Sequence, residues 1–577
     1  MIRAGGSRVR EVLRARFGSP AWGLACLALG CVTARPAYPP EPPLWRDPDR
    51  APFAARLPEY FSPVHWDALD QSVFRPVSQF FAVDPGGEAL DVNAWDEVPD
   101  SSWFENRIGR RALTPEGVAR GPCALPALDA SSPWEIVGSK GEGADPGFLI
   151  RAANGHRYLI KFDGLQQGPR ATLADVLGSL IYYAAGFDVP CYSIVSFSRA
   201  TLTMGAHAHA KDDLGNEIPL TWADIDKSLS QATALPGQRY RGVASLYLDG
   251  RPLGPWRYSG TLPGDRNDII PHEDRRELRA SRLLAAWTSH SDQREGNTLA
   301  MWIETAPGMG FVRHHLLDFG DCFGDLWDGP AQQAWRRGSA YFFDPWQMLG
   351  DFATLGAVER PWDRAHLGPS GLVLSYYGSD DFEPEAWRPG YPNPAFGRMT
   401  ERDAAWMARI IARFDQKQLA AAIAEGQVDA TLGQELLGTL WLRRQKILSR
   451  YLTRLSALAD PTLHADARGD WLCASDLAVQ AAIAPRDRTY LARLASTASG
   501  TFVPHPVELR APGEPCVQLP RRAATGAPSE PDYFVIEIAT QAARAGEPAA
   551  LPYPARFHVY ERGGSRYSIA GIERRGD

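Results

Sequence analysis

Between Trp134 and Phe162 apolar and polar residues alternate in short runs, and over 171–186 the spacing becomes helical. In "PWEIVGSKGEGADPGFLIRAANGHRYLIKFDG" the runs at 134–137, 148–151 and 157–162 predict three strands. Asn154-Gly155 marks a tight hairpin between the second and third, and the turn before them is glycine-rich. In "ATLADVLGSLIYYAAGFDVP" the residues Leu173, Val176, Leu177, Leu180, Ile181 and Ala184 share one helical face, and Gly186 stops the helix. "CYSIVSFS" returns as a strand. The pattern predicts a small antiparallel sheet carrying one helix.

Further along, "PHEDRRELRASRLLAAWTSHSD" reads as a helix, and "NTLAMWIE" with "GFVRHHLLDFG" as a β-hairpin leading out of it. Two long helices are predicted from "TERDAAWMARIIARFDQKQLAAAIAEG" and "LGQELLGTLWLRRQKILSRYLTRLSAL". Thr400 and Asp403 form a capping box for the first. Trp406, Ile410 and Phe414 recur at i+4, as do Leu436 and Leu440, which is a bundle core. The tail alternates again around Gly563-Gly564, so residues 462–577 are expected as a small β module and 126–461 as the main domain.

The N-terminus changes the picture of where this body works. A basic stretch, "MIRAGGSRVREVLRARFGSP", precedes a short apolar run ending at Cys31, so residues 1–30 read as a signal peptide. The "LALGC" ending resembles a bacterial lipobox, a resemblance that implies Cys31 as the lipidation site, with a plain secretion signal as the other reading. Val32 after it implies sorting to the outer membrane of the cell envelope, with the N-terminal lipid as the one membrane device. Residues 31–125 are expected as a proline-rich tether and an N-terminal extension, with eight prolines between Pro36 and Pro58. Five cysteines follow Cys31 at wide spacing. Free buried thiols are the plainer reading, with a single bridge, Cys473 to Cys516, compatible with an oxidising compartment. A net charge of −7 over 577 residues, with 22% charged residues, excludes a dedicated nucleic-acid binder. Arg275-Arg276 and Arg443-Arg444 read as solvated helix faces, and His290, His314 and His315 as core histidines rather than metal ligands.

The polar residues within this frame are those that phosphoryl transfer requires, in order. Phosphate oxygens need closely approaching backbone N–H groups, which the turn with Gly138, Lys140, Gly141 and Gly143 would supply. A cation on the sheet must hold phosphates, and Lys161 ends the third strand. A carboxylate must accept the proton of the attacking hydroxyl, and Asp292 is placed for it. Metal ions between phosphates need an amide oxygen and a second carboxylate, here Asn297 and Asp318. The Asp-x4-Asn spacing lets one loop aim Asp292 at the substrate and Asn297 at the metal, while the hairpin brings Asp318 back beside them.

The series His290-Ser291-Asp292-x4-Asn297, then Asp318-Phe319-Gly320, resembles the protein-kinase-like superfamily over about residues 130–455. It is nearer to atypical members, namely HipA-type kinases, phosphatidylinositol kinases and secreted Golgi-type kinases. The stretches "DSSWFENRIGRR", "PHEDRRELR" and "HSDQREGNTL" also resemble an uncharacterised group of bacterial envelope proteins. The resemblance implies an α+β, bilobal kinase-like fold, with a small sheet lobe, a larger helical lobe and a nucleotide cleft. It implies ATP or a related nucleotide with Mg²⁺ or Mn²⁺ as cofactors, and an acceptor that is a protein or small molecule.

Three departures stand out. Ser291 occupies the place of the Arg that binds an activation-loop phosphate. No Ala-Pro-Glu motif follows Asp318. The acidic partner of Lys161 could only be Asp175, which lies about 200° from Leu173 around the helix, opposite its apolar face. Three readings stay open: a phosphotransferase (nucleotidyl transfer being a variant), a pseudokinase serving as a lipid-anchored binding module, and a structural protein docking an envelope partner through its C-terminal module.

Overall fold

A computed structural model describes residues 37–60, 66, 69–80, 86–140, 146–165, 168–211, 216–324, 341, 344–358, 367–371, 373–496, 500–520, 532–541, 554–562 and 566–574. Cys31, Gly141 and Gly143 lie outside them, as do Gly563 and Gly564. The three predicted strands form as β1 (Trp134–Ser139), β2 (Gly147–Arg151) and β3 (Arg157–Phe162), followed by α1 (Arg170–Ala185) and β4 (Tyr192–Ser198). The sheet is larger than the predicted one. Residues 202–246, beyond the strands the pattern predicts, add β5 (Leu202–Lys211), β6 (Glu217–Pro219) and β7 (Arg239–Leu246), in the order β4-β7-β3-β2-β1-β5-β6. One pair, β1 with β5, is parallel, so the sheet is not wholly antiparallel. Gly138 sits inside β1 at a bulge rather than in the turn.

The sheet closes its own core around Trp134, Phe148, Ile160 and Phe197. The largest core belongs to the helices and includes α1, α2 (Arg276–Thr288), α4 (Glu401–Ile411), α5 (Gln416–Glu425) and α6 (Ala430–Tyr451). Between α2 and α4 come the hairpin β9 (Thr298–Ala306) and β10 (Met309–Leu316), then α3 (Pro345–Thr354). β8 (Arg251–Gly254) and the short strand Phe53–Ala54 flank the hairpin, giving the order Phe53–Ala54, β10, β9, β8. The single helix expected over 400–426 is two. Thr400 and Asp403 cap α4 as predicted, but Asp415 caps a new start and Arg444 donates to the carbonyls of Ile411 and Ala412 at the break.

The C-terminal strands build a four-stranded sheet that starts with Leu458–Asp466 and a five-stranded sheet that contains Thr489–Ser496, over a third core that includes Leu472, Ile536 and Phe557. The expected boundary at 461 falls inside the first of these strands. From Ala37 onward the proline-rich segment is packed on the body rather than extended as a tether, first on these sheets and then on the main domain. Ala37 N–H donates to the Tyr533 hydroxyl, Tyr560 donates to the Tyr38 carbonyl at 2.7 Å, and Phe53–Ala54 pairs with β10.

Both arginine pairs expected at the surface are buried. Arg276 reaches Asp96 at 2.7 Å and Asp403 at 3.1 Å. Arg275 faces Asp268, and Arg443 lies over the Phe382 ring and donates to the carbonyls of Gly378 and Ala286. The cysteines also differ from expectation: Cys473–Cys516 is bonded, and so is Cys123–Cys191, leaving Cys322 free and buried. Among the described residues no helix is long and apolar enough to cross a membrane.

Candidate active site

Lys161 leaves the end of β3 and is almost wholly enclosed. Its Nζ lies 2.6 Å from Asp175 Oδ2 and 2.8 Å from Asp318 Oδ1. Asp175 is therefore the partner that the helical wheel argued against. Every residue of α1 except Tyr183 is buried, so this helix has packed surroundings on all sides and no solvent face. A carboxylate opposite the leucine stripe then points into the protein, and the buried cation is what compensates it. Asp175 also holds the turn after β10, for its Oδ1 accepts the Phe319 N–H at 3.0 Å. Phe319 is fully buried among Tyr182, Tyr192 and His290. The approach of α1 to this turn needs a residue without a side chain. A Cβ on Gly178 would stand 2.7 Å from the Phe319 Cβ.

The second half of the site hangs from the C-terminus of α2. Ser289 adopts a left-handed conformation there, and the chain turns out of the helix into His290-Ser291-Asp292. The β9–β10 register pairs Thr298 with Leu316, and Leu317 N–H donates to the Asn297 carbonyl at 2.9 Å. This sets Asn297 beside Asp318, as the loop-and-hairpin spacing predicted. The Asn297 side-chain amide donates to Asp292 Oδ2 at 3.0 Å, which leaves its oxygen as the atom for a cation. Arg294 Nε lies 3.1 Å from the other Asp292 oxygen.

Asp318 has φ +52, a strained setting for a residue with a side chain. Its carboxylate is 38% exposed, the half-open position expected of a ligand rather than of a core ion. Burial works to raise its pKa, but the Lys161 and Lys140 cations outweigh that and hold it well below the usual carboxylate range. It is thus an ionised oxygen donor at neutral pH, and with Asn297 it suits a hard divalent cation. Lys140 acts on Asp318 from beyond β1, so the turn contributes charge to the same place.

Sequence reasoning missed Asp321, a buried acid one residue after Asp318-Phe319-Gly320. Its Oδ2 accepts the Asp292 N–H at 2.6 Å and the Ser291 hydroxyl at 3.1 Å, and its Oδ1 lies 3.2 Å from His290 Nε2. Burial first, then the neighbouring Asp292 charge, raises its pKa. Burial likewise lowers His290 to about 4, so the imidazole is neutral. The ligand-type atoms of His290, Asp321 and Cys322 lie within 4.8 Å of one another in this buried cluster. The acid following the Asp-Phe-Gly turn was the signal available. What it touches is a backbone N–H of another loop, which no spacing encodes.

No family model matches this chain, and no curated protein matches it. Among solved structures it has kinase-like neighbours. The Golgi casein kinase with Mn/ADP bound matches at 10% identity and a TM-score of 0.23, over 49% of this chain and 74% of that one. A second structure of the Golgi casein kinase matches at 11% identity and a TM-score of 0.25, over 62% and 91%. Scores of that size carry no argument about the site, which stands on its own residues.

Proposed function

We propose that this chain is a metal-dependent phosphotransferase of the kinase-like type, taking a phosphoryl group from ATP to a hydroxyl acceptor. The observation that carries the reading is the joint placement of five groups: Lys161 held by Asp175 and Asp318, and Asp292 held by Asn297 beside Asp318. Lys161 would hold phosphate oxygens, with Lys140 adding positive charge. Asp318 and Asn297 would hold Mg²⁺ or Mn²⁺, which supplies charge neutralisation between the phosphates. Asp292 orients the acceptor and takes its hydroxyl proton. The acceptor oxygen bonds to the terminal phosphorus as the bond from that phosphorus to the bridging oxygen breaks, and ADP leaves. The secretion signal, lipidation at Cys31 and an envelope location belong to the same reading, and the two disulfides support an oxidising compartment.

Those disulfides also favour a second reading, a nucleotide-binding module without turnover, because such a compartment lies outside the ATP supply. One experiment separates the two. Wild type, Asp318→Ala and Asp292→Asn are titrated calorimetrically with ATP and Mn²⁺, and phosphate transfer is followed in parallel. Asp318→Ala should abolish metal-dependent binding. Asp292→Asn should keep binding and lower turnover by roughly 10²- to 10⁴-fold, the usual worth of a general base. Binding without turnover in wild type selects the binding module. No binding with any metal overturns both.

A further inference from the structure

Asp292 is gripped at both ends of its own backbone. Its carbonyl accepts the Asn297 amide at 2.8 Å, and its N–H donates to Asp321 Oδ2 at 2.6 Å. Asp321 belongs to the turn that carries Asp318. In that turn the Cys322 N–H donates back to the Phe319 carbonyl at 2.9 Å, and the Phe323 N–H donates to the Thr288 carbonyl, at the end of α2, at 2.8 Å. The Asp321 carboxyl is enclosed, and its Oδ2 also accepts the Ser291 hydroxyl. On its other side stands His290. The Tyr258 hydroxyl donates to Gln293 Oε1 at 2.9 Å, which turns the Gln293 amide nitrogen toward His290 Nδ1. This assigns Nδ1 as the acceptor of the neutral imidazole and puts its proton on Nε2, which faces Asp321 Oδ1 at 3.2 Å. Both oxygens of Asp321 are therefore turned to the loop that bears Asp292.

We infer that Asp321, oriented by His290, is a positioning residue for Asp292: it locks the acceptor loop onto the Asp318 turn, so that the proton acceptor and the metal oxygen keep one separation. This role rests on the phosphotransferase reading, which gives Asp292 its proton to take. A buried carboxyl is costly, and its cost is offset here by donors that all come from one loop. That loop leaves α2 through the left-handed Ser289, and between Ser289 and Glu295 it has no regular structure to satisfy its backbone. Without Asp321 the Asp292 N–H loses its acceptor. The Asp292 side chain is 30% exposed, so where it points is decided by how its backbone is held. On the far side of the loop the Gly390 N–H donates to the Ser291 carbonyl at 2.7 Å, which completes the grip. A shift of about 1 Å in a reacting group costs about 10²-fold in rate. Lys161 takes its place from Asp175 and Asp318, and Asn297 from the hairpin register, so nucleotide and metal binding do not depend on Asp321.

The test compares wild type with Asp321→Ala, Asp321→Asn and His290→Phe. Each is titrated calorimetrically with ATP and Mn²⁺, assayed for release of inorganic phosphate with water as acceptor, and followed by hydrogen–deuterium exchange resolved at the Asp292 amide. Asp321→Asn keeps an oxygen for the Asp292 N–H, whereas Asp321→Ala removes it. His290→Phe keeps a ring against Phe319 and removes the nitrogen beside Oδ1. ATP affinity should be unchanged in all three. Turnover should fall about 10²-fold in Asp321→Ala, recover to within about tenfold of wild type in Asp321→Asn, and fall in His290→Phe. The Asp292 amide should exchange about tenfold faster in Asp321→Ala and stay slow in Asp321→Asn. Wild-type turnover in Asp321→Ala, no rescue by Asn, or ATP affinity lost in step with turnover overturns the inference. If Asp321→Ala does not fold, His290→Phe decides, and wild-type turnover there overturns it. ATP binding without phosphate release in wild type would instead sink the phosphotransferase reading. The hold on the loop is then read from exchange, and equal rates in wild type and Asp321→Ala would overturn that too.

Discussion

Asp175 makes two contacts that a substitution can separate. Its Oδ2 balances Lys161 and its Oδ1 holds the Phe319 N–H. Asn in its place keeps an acceptor for Phe319 but removes the charge, leaving Lys161 with Asp318 as its carboxylate. Lys161 and Asp318 then bind each other more firmly, which competes with both phosphate and metal. Asp175→Asn should weaken Mn²⁺-dependent ATP binding about tenfold or more in a calorimetric titration, and Asp175→Ala should lower the melting temperature further. Breaking a buried pair costs about 3–5 kcal/mol, and less here because Asp318 remains. Equal ATP affinity in Asp175→Asn and wild type would show that the pair is structural. The candidate site residues are readable where the chemistry lies along the chain, as in Asp292 and Asn297 with four residues between them in one loop. Asp175 is legible as a candidate but not in its orientation, which depends on packing behind a helix, and Asp321 is not legible because it holds a backbone N–H from a different segment.

The elements that position these residues divide in the same way. β1 to β4 and the β9–β10 hairpin were legible because each alternates and is bounded by turn residues. α1 was legible as a helix, but its facing was not. Burial on every side removes the polar stripe from which orientation is read, so its one acid, the only candidate partner for Lys161, reads as lying opposite the apolar face. The same helix shows how closely the site is built, for Gly178 admits the Phe319 turn. Gly178→Ala would place a methyl 2.7 Å from the Phe319 Cβ and 3.2 Å from Cys322 Sγ. Better intrinsic helix propensity favours Ala by about 1 kcal/mol, and overpacking costs about 1–3 kcal/mol. The balance is destabilising, because both neighbours are fully enclosed. Differential scanning calorimetry should give a lower melting temperature for Gly178→Ala, and nucleotide affinity should fall with it as the Asp318 turn shifts. A stabilised variant would mean that the turn moves freely away from α1.

At the scale of the whole molecule, Arg276, which the sequence disguises as surface charge, belongs to a set of arginines that join its parts through one carboxylate. Asp96, in the N-terminal extension, is enclosed and meets Arg276 of α2 at 2.7 Å and Arg574 of the last strand at 3.2 Å. Arg402 at 2.9 Å and Arg409 at 3.8 Å reach it from α4. Arg574 also donates to the Leu458 carbonyl at 2.8 Å, so the C-terminal strands are fastened to the helices through the same carboxylate. Burial works to raise the Asp96 pKa, but the four arginines, Arg276 foremost, hold it well below the ordinary 3.8. The unfolded chain therefore takes up this proton before the folded chain does. Stability from Asp96 is fully present above about pH 4 and drains away as pH falls toward the lowered folded value. Asp96→Asn leaves four arginines facing a neutral amide and should cost about 3–5 kcal/mol at neutral pH, because it strands buried charge. Denaturant unfolding of wild type and variant from pH 7 down to pH 2.5 should show the gap between them narrowing below pH 4. A gap that stays constant with pH would mean that the charge of Asp96 is not what joins the extension, the helices and the C-terminal strands.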